Sequence, residues 1–154
     1  MPNRRWMYAS ALLTSACTTA MYSGPRRPPS ELAILASDDS TISSIDGVQT
    51  PYSGGNFGKF EVLPGEHSVG VSLNRVVGGG VYTADRPYTL CMKAEAGREY
   101  RVRIDMVGSL WRPYMVDESS AALVSHPCGA VPPRPALRDV NRLLYEPLPV
   151  TPKK

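Results

Sequence analysis

Lys59-Phe60-Glu61-Val62-Leu63-Pro64-Gly65-Glu66-His67-Ser68-Val69-Gly70-Val71-Ser72-Leu73 is the stretch that decides the fold class. Phe60 and Val62 alternate with Lys59 and Glu61, and Val69, Val71 and Leu73 alternate with Ser68, Gly70 and Ser72. A period of 2 marks a strand with one buried and one wet face, whereas an amphipathic helix returns its apolar residues every 3.6 positions. Pro64-Gly65-Glu66 interrupts the pattern as a turn, so the stretch predicts a β-hairpin.

Downstream the pattern repeats. Tyr88, Leu90 and Met92 share one face, Ala96-Gly97-Arg98 forms a turn, and Tyr100, Val102, Ile104 and Met106 return. Arg101, Arg103 and Asp105 take the opposite face, which predicts a second hairpin in an antiparallel sheet with one wet surface. Upstream, residues 32 to 36 and 41 to 45 predict two more strands, followed by a turn at Asp46-Gly47. Residues 111 to 116 add a short last strand, which Pro113 confines to an edge or a bulge. Six or seven short strands separated by Gly and Pro predict an all-β fold, a small antiparallel β-sandwich, with a closed barrel as the second choice. Ile42, Phe60, Val62, Val69, Val71, Leu90, Met92, Tyr100, Val102 and Ile104 are its expected core.

Composition agrees with one small domain plus extensions. The chain has 154 residues, 42% of them apolar, with 15 prolines and two histidines. That length excludes a multidomain enzyme, and the proline content, about twice the usual share, disfavours long helices. The N-terminus runs from basic Arg4-Arg5 through uncharged Trp6 to Leu13 and on to the small residues before Cys17. This is the order of a secretory signal, and it falls well short of the ~20 apolar residues of a membrane-spanning helix. Deleting residues 1 to 16 removes Arg4 and Arg5 and no acid, so the formal charge falls from +3 to +1. The scattered arginines that remain exclude a nucleic-acid partner, which requires a dense basic face.

Leu13-Thr14-Ser15-Ala16-Cys17 resembles the lipobox of bacterial lipoproteins, although Thr14 stands where leucine is usual. The resemblance implies that Cys17 becomes the lipidated first residue of the mature chain; ordinary secretion and a buried cysteine are the alternatives. Thr18, in place of the aspartate associated with inner-membrane retention, implies the outer membrane. The expected organisation is a signal peptide at 1–16, a lipidated tether at 17–30 rich in Gly and Pro, a sandwich at 31–118, and a Pro-rich tail at 119–154. Ile45-Asp46-Gly47, Leu63-Pro64-Gly65-Glu66-His67-Ser68-Val69-Gly70-Val71 and Ala94-Glu95-Ala96-Gly97-Arg98-Glu99-Tyr100-Arg101-Val102 together resemble PEGA-type domains and related bacterial envelope lipoproteins. That resemblance implies a sandwich of the transthyretin-like or immunoglobulin-like kind and carries no catalytic residues.

Few residues point to chemistry. With Cys17 lipidated, Cys91 and Cys128 remain in a disulfide-permitting compartment, either bridged or as two buried thiols. No metal ligand set is expected, because the cysteines and histidines lack the paired spacing of zinc sites, and no cofactor is implied. Glu66-His67 has no nucleophile beside it and is expected to be a solvated turn. Gly78-Gly79-Gly80 lies between strand-like segments without the helix that a phosphate loop needs. Trp111-Arg112-Pro113-Tyr114 is the cluster most suited to contact, since Trp, Tyr and Arg predominate at binding hot spots; the alternative is that Trp111 caps the sandwich. In the tail, Leu137, Val140 and Leu144 make one stripe on a short helix expected at 136–145, a second candidate contact.

The sequence therefore predicts no enzyme. It predicts an outer-membrane-anchored structural or accessory binding module held to the membrane by its N-terminal lipid and facing an envelope protein partner. The alternative is a secreted or periplasmic domain that binds glycan or peptide through Trp111 and adjacent loops.

Overall fold

The computed structural model of the protein describes residues 18–38, 40–51, 58–77, 80–83, 86–107, 110–129, 148–149 and 151–153. The strands in chain order are β1 (Thr18–Ala20), β2 (Ala33–Ser37), β3 (Thr41–Ile45), β4 (Val48–Gln49), β5 (Lys59–Val62), β6 (Gly65–Ser72) and β7 (Asn74–Val77). They continue as β8 (Gly80–Thr83), β9 (Tyr88–Ala94), β10 (Glu99–Val107), β11 (Leu110–Asp117), β12 (Ser125–Pro127), β13 (Leu148–Pro149) and β14 (Thr151–Lys153). One turn of 3-10 helix at Pro29–Glu31 precedes β2.

Two sheets form a β-sandwich. The first has the order β1-β5-β2-β10-β11-β13 and the second β12-β9-β6-β3-β4, while β14-β8-β7 make a small third sheet. β1 lies parallel to β5, and β2 parallel to β10; the remaining pairs are antiparallel. Period-2 alternation becomes burial strand by strand. Leu35, Phe60, Tyr100 and Val102 enter the core from the first sheet, and Ile42, Val69, Val71, Leu90 and Met92 meet them from the second. Ile104 packs against this cluster only partly buried.

Both expected hairpins are instead crossings between the sheets. β5 pairs with β2 and β1, whereas β6, directly after it, pairs with β3 and β9. β9 and β10 likewise lie in opposite sheets. Alternation is blind to this difference, because two strands with inward apolar residues can line one face or two facing ones. Local geometry marks the crossings. Gly97 sits at φ 73, its N–H donates to the Leu32 carbonyl at 2.7 Å, and the Ile34 N–H donates to Arg98 at 2.9 Å. A tight hairpin stands at Asp46-Gly47, whose φ values of 51 and 79 are those of a type I′ turn joining β3 to β4. Pro113 behaves as expected of an edge residue. Trp111 pairs with β13 and Val116 bridges Leu123, so Pro113, with no N–H to donate, falls in the gap between these outer partners.

The domain boundaries also shift. The segment expected as a tether begins with β1, whose Thr18, Thr19 and Ala20 pair with Lys59, Phe60 and Glu61. Met21 then packs against the core. At the other end the fold continues past residue 118. Val124 N–H donates to the Met115 carbonyl at 3.0 Å, β12 extends the second sheet, and β13 and β14 add to β11 and β8. The expected helix at 136–145 and the signal segment 1–16 lie outside the described residues.

Candidate functional site

The contact cluster divides by strand parity. On β11, Trp111, Pro113 and Met115 point inward, while Arg112, Tyr114 and Val116 point outward. Trp111 is 0% exposed and meets Tyr88 edge-on, with ring centroids 6.2 Å apart at 75°. Its indole N–H has no acceptor among the described residues. The expectation that Trp111 contacts a partner is therefore corrected: the ring is a core element, and the glycan or peptide reading loses its aromatic platform.

Tyr114 and Arg112 instead join a charged surface on the outer face of the first sheet. Arg101 is its centre. Its guanidinium meets Asp38 at 2.5 Å, Glu118 at 2.9 Å and Glu99 at 3.2 Å, with the side chain 19% exposed. The Asp38 hydrogen bond raises the Arg101 pKa against the opposing effect of burial. Arg103 reaches Asp38 at 3.5 Å and Glu118 at 3.2 Å, and Lys59 reaches Glu99 at 2.9 Å. On β11, Tyr114 stands opposite Arg103, and Arg112 opposite Asp105. Burial, then the Asp105 carboxylate, push the Tyr114 phenol above its ordinary value. Exposed ion pairs contribute little each to stability, so the lattice orders a surface more than it holds the fold together. It offers a fixed pattern of charges and one phenol to another molecule.

Glu66 and His67 do not form a solvated turn. His67 lies within β6 with its side chain 11% exposed; Nε2 donates to the Leu63 carbonyl at 2.7 Å, and Nδ1 faces Asp46 Oδ2 at 2.6 Å. The other Asp46 oxygen accepts the Ser68 N–H at 2.8 Å. His67 thus ties the β5–β6 crossing to the β3–β4 turn, and both ring nitrogens are occupied by structural bonds. Glu66 is exposed. Nearby in role, Asp117 organises the turn after β11. Its Oδ1 accepts from the Ser119 N–H at 2.7 Å, Ser119 Oγ at 2.5 Å and the Ser120 N–H at 3.3 Å.

Cys91 and Cys128 form a disulfide, with Cα atoms 4.9 Å apart. Cys91 is on the outward face of β9, so the bridge pins the turn after β12 to the second sheet. Beside it is an open hollow of about 290 Å³ lined by Arg86, Pro87, Tyr88, Thr89, Pro127 and Cys128. Among the described residues there is no group of three or more His, Cys, Asp or Glu side chains placed to hold a metal ion. Cys17, Leu137, Val140 and Leu144 lie outside the described residues. Sequence reasoning missed Asp38 and Glu118 as partners of Arg101. The alternation of Arg101, Arg103 and Asp105 marked the wet face, but Asp38 and Glu118 come from a crossing and a turn with no periodicity. Against protein-family models, curated proteins and solved structures, the chain finds no match.

Proposed function

We propose that this chain is a non-enzymatic lipoprotein of the bacterial outer membrane, anchored by lipid on Cys17 and acting as a structural or accessory binding module of the envelope. The observation that carries the reading is Leu13-Thr14-Ser15-Ala16-Cys17 directly after a basic and apolar leader. The Cys91–Cys128 bridge supports it, because such bonds persist in oxidising compartments outside the cytosol. The resemblance to PEGA-type envelope domains points the same way. The partner is an envelope protein that meets the charged outer face of the first sheet, where Tyr114 stands opposite Arg103 and Arg112 opposite Asp105. Complementary charge at such a face selects partners and speeds encounter more than it adds affinity.

Fractionation of an exporting bacterium tests the anchor. The unmodified chain should enter the outer-membrane fraction, and a Cys17→Ser chain, which can take no lipid, should be missing from it. A Cys17→Ser chain that still enters the outer-membrane fraction contradicts the reading. For the partner face, Arg103→Glu with Tyr114→Ala should abolish crosslinking to the protein captured by the unmodified chain.

A further inference from the structure

We infer that the β1 end of the sandwich lies directly against the phospholipid surface, making a lipid headgroup layer the first partner of this domain; the inference rests on the Cys17 anchor proposed above. Its basis is the absence of slack between the anchor and the fold. Thr18 is already in register with Lys59, its hydroxyl donates to Glu61 Oε1 at 2.5 Å, and the Met21 N–H donates to the Glu61 carbonyl at 2.9 Å. Successive Cα atoms are about 3.8 Å apart, so lipid on Cys17 begins one residue from the sheet. A free coil over residues 18 to 30 would have given about 40 Å of reach at ~3.3 Å per residue. The pairing of β1 removes that reach at its first residue.

Strand direction then says which end faces the bilayer. β1 runs parallel to β5, so Thr18 lies where β5 begins and β2 ends. By register the same end holds the β2–β3 crossing at Asp38, the start of β9 near Arg86, and the parts of β10 and β11 that extend past β2. The opposite end holds the Pro64 and Gly97 crossings, the Asp46-Gly47 turn and the turn after Asp117.

Lysine footprinting on the intact protein tests this without altering the domain. The lipidated chain in phosphatidylethanolamine–phosphatidylglycerol vesicles, and the Cys17→Ser chain in the same suspension, are acetylated briefly and mapped by mass spectrometry. Lys59 labelling should be several-fold lower in the anchored chain, with Lys93 unchanged. Equal labelling of Lys59 in both chains, or protection of Lys93 instead, overturns the inference while the lipid found on Cys17 keeps the anchor reading intact. If the same spectra show Cys17 unmodified, the anchor reading itself fails and the inference falls with it.

Discussion

Trp111→Ala and Trp111→Phe together separate a core residue from a contact residue. The side chain is 0% exposed, so removing it leaves a cavity between the sheets, and large-to-small changes of this kind cost about 3 to 5 kcal/mol. The lost edge-on pairing with Tyr88 contributes roughly 0.5 to 1.5 kcal/mol within that figure. Phenylalanine retains the ring contact and removes an indole N–H that has no acceptor among the described residues, a group whose burial costs about 1 to 3 kcal/mol. That relief offsets most of the volume lost, so Trp111→Phe should lie within about 1 kcal/mol of the unmodified chain. Urea unfolding followed by circular dichroism measures both differences. At ~4 °C per kcal/mol for a domain of this size, the alanine variant should also melt about 12 °C lower or more. An alanine variant as stable as the parent, yet deficient in partner capture, would refute the placement of Trp111 in the core.

Cys91→Ala with Cys128→Ala should lose about 4 kcal/mol, the loop-closure value for a sequence separation of 37; two alkylatable thiols in the exported parent protein would contradict the bridge. Burial opposes ionisation of Asp117, but the Ser119 and Ser120 hydrogen bonds and Arg98 outweigh it and hold its pKa below the ordinary value. A carboxyl depressed by folding adds stability above its unfolded pKa and loses it as pH falls through the folded one, so stability should drop on acidification below about pH 4. Asp117→Asn should flatten that acid limb in urea titrations; an unchanged limb removes Asp117 as a contributor. Gly70→Ala places a Cβ against Ser44 Oγ and should cost about 1 to 3 kcal/mol, and adding Ser44→Ala should recover most of it in a double-mutant cycle. Independent, additive losses would show that the two positions do not touch.

Strand positions and their buried faces were legible in the sequence, because alternation is a local property. Phe60, Val62, Val69, Val71, Leu90, Met92, Tyr100 and Val102 are buried as that pattern requires. Pairing was not legible. Whether Pro64-Gly65 folds β6 back on β5 or sends it to the facing sheet depends on which edges are free elsewhere, namely those of β3 and β9. Asp46-Gly47 differs because both residues take positive φ, so that hairpin is written into its two residues. Of the two readings open for Trp111, strand parity favours the packed one: it shares parity with Met115, and parity is a better guide to burial than the hot-spot preference of tryptophan. β1, β12, β13 and β14 are two or three residues long. Strands that short carry no period, and each exists because a neighbouring edge offers it hydrogen bonds.

Mass spectrometry of the mature N-terminal peptide from exported protein tests the central claim most directly. The account predicts a chain that begins at Cys17 carrying a diacylglyceryl group and continues into Thr18. A chain that begins at another residue, with Cys17 unmodified or cut away, contradicts it.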